Sequence, residues 1–244
     1  MSEGSGAGPG QSRLGCGTQC LHGSFNGCSD VSTRLRQNRS NPEWIQRHLN
    51  DPYVKRSVAE GFRSRAAYKL AEIDDKDRLL RPKMVVVELG AAPGSWTQVV
   101  RQRLQARDGT VSGRVIALDL LPMEPVPDVE FIQGDFHDEA VERQLVDLLA
   151  GTRIDLVLSD MAPNLSGIGA ADAARSVLLA ELAADFAGKY LQPNGAFLVK
   201  AFHGSGYSQY VERLKKIFRA VAVRKPAASR ETSAEVYLLG RHLR

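Results

Sequence analysis

Apolar positions along this chain follow two rhythms that take turns. Short β-rich runs occupy Met84–Leu89, Val115–Leu120, Val129–Gln133, Ile154–Ser159 and Ala196–Phe202, and each predicts a strand. Between several of them the apolar residues return every three or four positions, over Ser95–Leu104, Glu139–Leu149 and Ala171–Tyr190, which predicts helices. Alternation of this kind predicts right-handed crossover units, hence an α/β fold with a mostly parallel sheet covered by helices on both faces. Upstream, Ser64–Ile73 reads as a helix with Ala67, Leu70 and Ile73 on its apolar side, and Asn41-Pro42-Glu43-Trp44 as a helix start. Downstream, a helix over Tyr207–Phe218 precedes two β-rich runs, Ala220–Arg224 and Glu235–Leu239, joined by a polar linker. Those two most simply form an antiparallel pair at the end of the sheet.

Composition changes this picture only at the N-terminus. The chain has 244 residues, 43% hydrophobic and 25% charged, which suits one main domain and excludes collagen-like, coiled-coil and wholly disordered classes. The first thirty residues hold eight of the 22 glycines and five serines with no apolar period. Residues 1–40 are therefore expected to be a disordered tail, and 41–244 a single domain with an N-terminal helical extension. Cys16, Cys20 and Cys28 share the tail with His22; their spacing matches no paired zinc motif, and free thiols are the expectation, with no metal site. No apolar run reaches the roughly 18 residues of a membrane span and no secretory signal is visible. The chain reads as soluble and cytoplasmic; Arg13, Arg34, Arg36 and Arg39 in an acid-poor tail leave a mitochondrial origin open.

The formal charge of +4 says little, but its distribution says more. Arg213 to Arg230 holds seven Lys/Arg and no acid, and Lys55 to Lys69 holds five against Glu60 alone. Brought together, the two stretches would make a phosphate-binding face; apart, they are two solvated helix faces.

Candidate chemistry lies just past the strands, where open parallel sheets bind ligands. The first strand runs into Glu88-Leu89-Gly90-Ala91-Ala92-Pro93-Gly94-Ser95-Trp96, a small-residue turn that allows close backbone approach, or merely tight packing. The second ends at Asp119, placed to accept ribose hydroxyls. The third ends at Asp135, placed to accept from an adenine amino group. The fourth ends at Asp160. Each alone could be a cap or a surface carboxylate; together they describe an adenosine pocket. The turn lacks the G-x-G-x-x-G spacing of dinucleotide sites and contains Pro93, which has no N–H to donate. S-adenosyl-L-methionine therefore fits better than a dinucleotide, although an oxidoreductase stays open.

The fifth strand, Gly195-Ala196-Phe197-Leu198-Val199-Lys200-Ala201-Phe202, carries one lysine in an otherwise apolar run. Unpaired, its ammonium would cost several kcal/mol. Asp160 is the natural partner, with Glu235 and Lys69 completing a cluster of two cations and two anions; the alternative is a lysine that snorkels to water.

With these residues in view, the blocks Arg63-Ser64-Arg65-Ala66-Ala67-Tyr68-Lys69-Leu70, Leu89 to Trp96, Asp119-Leu120-Leu121-Pro122-Met123, Gln133-Gly134-Asp135-Phe136, Ser159-Asp160-Met161-Ala162-Pro163-Asn164, Val199-Lys200 and Arg224-Lys225-Pro226 to Glu235-Val236-Tyr237 resemble the FtsJ/RrmJ-type (RlmE) ribosomal RNA 2′-O-methyltransferases. The likeness runs from about residue 41 to 240. It implies a Rossmann-like methyltransferase fold with a seven-stranded sheet and an antiparallel last strand. It also implies a catalytic quartet of Lys69, Asp160, Lys200 and Glu235, with Lys200 as proton acceptor, or with Lys200 charged and Asp160 receiving the proton. Cofactor contacts are implied at Gly94, Trp96, Asp119, Asp135 and Asp160. The implied cofactor is S-adenosyl-L-methionine and the implied partner large-subunit ribosomal RNA, at one uridine ribose of the assembled subunit or a late precursor, by a monomer. RNA would be held by phosphate contacts from the two basic stretches; tRNA, an mRNA cap and a non-catalytic RNA-binding module are the competing readings. Glu88 stands where such proteins often carry aspartate, a swap read as keeping the charge.

Overall fold

The computed structural model describes residues 46, 49–163, 169–230 and 232–244. The tail, its three cysteines and His22, the helix start at Asn41–Trp44 and Asn164 lie outside the described residues. In chain order the elements are α1 (Pro52–Ala59), α2 (Ala66–Asp77), β1 (Met84–Leu89), α3 (Ser95–Arg103), β2 (Gly113–Asp119), β3 (Glu130–Gln133), α4 (Glu139–Leu149), β4 (Ile154–Ser159), α5 (Gly169–Tyr190), β5 (Leu191–Phe202), α6 (Tyr207–Ile217), β6 (Phe218–Arg224) and β7 (Glu235–Leu243). Local chemistry sets several boundaries. The Asp51 and Asp138 side chains accept from the backbone N–H of Tyr53 and Ala140 and so cap α1 and α4, and α4 stops where Ala150 turns left-handed.

The seven strands order as β3-β2-β1-β4-β5-β7-β6. Neighbours from β3 to β5 pair in parallel, while β7 pairs antiparallel to both β5 and β6. The expected antiparallel pair is present, but the last strand slots inside the edge, so β6 forms the rim and runs with the parallel set. Two strands outrun their sequence signal. β5 begins at Leu191 rather than Ala196, because Pro193-Asn194-Gly195 does not end the strand: Ile154 pairs with Leu191 and Leu156 with Ala196, an irregularity that absorbs the turn-like residues. β7 continues through Gly240 to Leu243.

Side chains alternate between two cores. On one face Val87, Leu89, Ile116, Leu118 and Ile132 pack with Leu145, Phe186, Tyr210 and Leu214 of α4, α5 and α6. On the other, Val86, Val115, Leu156, Leu158, Leu198 and Tyr237 pack with Ala67, Leu70 and Ile73 of α2 and Trp96, Val99 and Val100 of α3. No helix among the described residues is long and apolar enough to cross a membrane.

Gly240 lets β7 lie between its neighbours, since a Cβ there would sit 2.6 Å from the Phe218 ring. Gly240→Ala is expected to lower unfolding free energy by about 1–3 kcal/mol, read from urea denaturation with an unchanged far-ultraviolet spectrum.

Candidate active site

The period of two along each strand brings the polar residues to one place. Glu88 follows Val86, Asp119 follows Val115 and Ala117, Asp160 follows Leu156 and Leu158, and Lys200 follows Leu198. Each is therefore in step with residues of the face covered by α2 and α3, at the carboxyl edge of the sheet. On the antiparallel strand, Tyr237 lies opposite Lys200 and Glu235 opposite Phe202, so Tyr237 and Glu235 share that face. Lys69 reaches it from α2.

Two ion pairs result. Lys69 Nζ lies 2.8 Å from both oxygens of Glu235. Lys200 Nζ lies 3.2 Å from Asp160 Oδ1 and donates to the Asp160 carbonyl at 2.5 Å. The Lys200 side chain is only 9% exposed and lines a cavity beside the glycine turn, so it does not snorkel. Tyr237, fully buried, donates its hydroxyl to Asp160 Oδ1 at 3.1 Å and lies under Lys69, whose Nζ is 6.0 Å from the ring centre. Burial, with Asp160 and Glu235 nearby, holds the Tyr237 phenol well above its ordinary pKa, so it stays a donor. Burial works against the Glu235 carboxylate, yet the Lys69 charge and hydrogen bond, the Ser229 hydroxyl at 2.8 Å and the Lys200 charge outweigh it and hold the acid below its ordinary value.

The cavity beside Lys200 measures about 500 Å³ and is lined by Gly90, Ala92, Asp119, Asp135, Asp160 and apolar Leu118, Phe136, Leu178 and others. Asp119 braces the turn, accepting from the backbone N–H of Ala92 at 2.8 Å and of Leu121 at 2.7 Å. Asp135 accepts from the backbone and ring of His137, both at 2.9 Å, and the backbone bond, followed by the ring, keeps it ionised below its ordinary range. Gly94 and Trp96 do not line this cavity. Gly94 caps α3 with φ +102° against Arg63. The Trp96 indole is buried, donates to the Ala66 carbonyl at 2.8 Å and packs on Tyr237. It ties α2 to the sheet, which leaves only backbone at these two positions for a cofactor contact.

Most cations of the two basic stretches have partners within the chain. Arg63 donates to the carbonyls of Pro93, Glu124 and Pro125, and Arg65 engages Asp51 and the Ala228 carbonyl. Arg213 pairs with Asp185, Arg224 with Asp77 and Lys215 with Glu212, while Lys225 donates to the Ser233 and Glu235 carbonyls. Arg63, Arg65, Arg224 and Lys225 tie separate segments together, whereas Lys215–Glu212 is an exposed pair within α6. Exposed Lys55, Lys216 and Arg219 remain without a side-chain partner among the described residues.

Sequence reasoning missed two residues of the site. Tyr237 was visible as the strand neighbour two places from Glu235, but only the pairing with β5 puts it against Asp160. Glu88 was read as a charge. It is fully buried, and burial, with Asp160 and Asp119 adding to it, raises its carboxyl to about 8, so at neutral pH it carries a proton.

The depressed Glu235 acid predicts a stability term present above the ordinary carboxylate range and lost as pH falls through the folded value. Glu235→Gln should therefore lower unfolding free energy at neutral pH, and the gap to the native chain should shrink on acidification, as measured by denaturant midpoints across a pH series.

Residues 62–243 match the model of the FtsJ-like methyltransferase family. Proteins of Burkholderia mallei and Burkholderia pseudomallei named ribosomal RNA large subunit methyltransferase E are 57% identical over 217 residues, covering 86% of this chain and 99% of theirs. The crystal structure of a Plasmodium falciparum protein described as a ribosomal RNA methyltransferase superposes with a TM-score of 0.66 at 31% identity, over 75% of this chain and 98% of that one. With its family match spanning the whole sheet and every member of the quartet, the chain belongs to the FtsJ-like methyltransferases.

Proposed function

We propose that the protein transfers a methyl group from S-adenosyl-L-methionine to a ribose 2′-oxygen, that of a uridine in large-subunit ribosomal RNA, on the assembled subunit or a late precursor. The observation that carries this reading is the buried Lys200–Asp160 pair on the wall of the same cavity as the glycine turn. Relatives that share 57% of their residues with this chain bear the name of a large-subunit ribosomal RNA methyltransferase, which supports the substrate.

The cavity suits this cofactor. Gly90, at φ +79°, leaves no room for a Cβ, which would meet the Met161 backbone nitrogen at 2.7 Å, so glycine there lets the segment after β4 close against the turn at the cavity wall. Asp119 and Asp135 offer acceptors for ribose hydroxyls and an adenine amino group, Leu118 and Phe136 offer an apolar wall, and the acids as a set favour a positively charged ligand. When bound, the cofactor supplies an activated methyl group on a sulfonium.

The protein then has mainly to position the ribose, which in well-oriented systems is worth roughly 7–11 kcal/mol, and to manage one proton. Lys200 is placed for both. As the ribose docks, the Lys200 ammonium passes one proton to solvent; its remaining N–H bonds can serve Asp160 Oδ1 and the Asp160 carbonyl, and the freed lone pair accepts the 2′-hydroxyl proton. Asp160, itself oriented by Tyr237, then stabilises the ammonium that forms. Lys69 is occupied by Glu235 and supplies positive field near the developing alkoxide. Exposed Lys55 on α1, the helix that precedes the one carrying Lys69, is, among the described residues, free for a phosphate contact, and the 2′-hydroxyl distinguishes RNA from DNA. We assign residues 41–244 to one methyltransferase domain that works as a cytoplasmic monomer, with residues 1–40 as a tail outside it.

The test is transfer of labelled methyl to ribosomal subunits, free ribosomal RNA and tRNA, followed by mapping of the alkali-resistant linkage. Label in the large subunit is expected, and label confined to tRNA would overturn the substrate. Lys200→Ala should lower turnover by about 10²-fold or more while cofactor affinity stays within a few-fold; a strong loss of cofactor binding would contradict the role given to Lys200.

A further inference from the structure

Glu88 is a further acid, fully buried behind the cavity wall, that the proposed reaction does not use. It lies on β1 opposite Ala117 of β2 and Leu158 of β4, two positions before Asp119 and Asp160 on the same face, directly behind the Gly90 turn. Its Oε2 accepts from the Thr97 hydroxyl of α3 at 2.7 Å. Its Oε1 is buried and has no hydrogen-bond partner among the described residues. The groups that act on it come from each element packed around it: Thr97 from α3, Asp119 from the end of β2 and Asp160 from the end of β4. Both charges are negative. Lys69, from α2, is bound to Glu235, and Lys200, from β5, to Asp160. A carboxyl placed here for stability alone would be a poor choice, because an apolar side chain fills such a site without desolvating a polar atom.

We propose that Glu88 is the counter-charge for the cofactor: it is protonated in the empty protein and surrenders that proton to solvent when S-adenosyl-L-methionine binds. The proposal rests on the cofactor reading above. In the empty protein a proton on Glu88 keeps a buried negative charge, with only the Thr97 hydroxyl to compensate it, from joining those of Asp119 and Asp160. The ligand carries a sulfonium, an ammonium and a carboxylate, hence one net positive charge, and bringing that charge close favours the ionised carboxyl. The balance is simple: the neutral acid plus ligand give the carboxylate complex plus one proton in the buffer, with no bond to carbon or sulfur changed. The linkage has a fixed sign. Because the ligand prefers the ionised form, affinity rises with pH up to about 8, where the empty protein has already lost the proton. Glu88 also costs stability in the empty protein as pH rises from the ordinary carboxylate range towards that value, so Glu88→Gln should fold and should gain on the native chain as pH rises.

The experiment is titration calorimetry of S-adenosyl-L-methionine into the native chain and Glu88→Gln, near pH 6.5 in buffers of differing ionisation enthalpy. Near that pH the native protein should release roughly half a proton or more per cofactor bound, and Glu88→Gln almost none. Binding with the same enthalpy in every buffer, or equal proton release by both proteins, would overturn the proposal and leave the cofactor reading intact. Absence of any binding to the native chain would instead sink the cofactor reading. Should Glu88→Gln fail to fold, infrared difference spectra of the native protein decide: a carboxylic-acid carbonyl band must vanish on cofactor addition, and a band that persists refutes the assignment.

Discussion

The site depends on an ammonium kept out of water. Lys200 sits at the end of an apolar strand, and the desolvation of its charge is offset only because Asp160 offers a carboxylate oxygen and a carbonyl within hydrogen-bond reach. That pairing constrains much around it. Asp160 must follow β4 next to β5, and Tyr237 must lie opposite Lys200 to donate to the same carboxylate oxygen. Trp96 supports Tyr237 and anchors α2, which in turn delivers Lys69 to Glu235. A change in register of one residue on any of these strands would turn the polar group to the opposite face and leave its partner buried alone.

The same geometry explains why acids accumulate here. Three parallel strands end side by side with matching parity, so Glu88, Asp119 and Asp160 converge behind one turn. Asp119 is compensated by backbone N–H groups and Asp160 by Lys200 and Tyr237. Glu88 has only the Thr97 hydroxyl, and it is the member that yields its charge. An acid at position 88 is thus not equivalent to the other two, even though all three occupy strand ends.

Cations divide in a similar way. Arg63, Arg65, Arg213 and Arg224 looked like a surface for polyanions, yet each is spent on a carbonyl or carboxylate of its own chain. Arg224 and Arg241 both approach Asp77 at the end of α2, so basic residues at the sheet's far edge fasten the helix that carries Lys69.

The sequence by itself determined the element order, the helix and strand periods and the strand-end positions of Asp119, Asp135, Asp160 and Lys200, because periodicity and turn chemistry are local properties of the chain. Its motif blocks also brought Lys69 and Glu235 into the reading by resemblance. What only the tertiary structure decided was pairing: that β7 lies between β5 and β6, that Tyr237 meets Asp160, that Trp96 faces the core instead of the cavity, and that the arginines are engaged. It also decided that Glu88 is neutral, since whether a carboxyl keeps its charge depends on burial and on neighbours about thirty and seventy residues away, which no local pattern encodes.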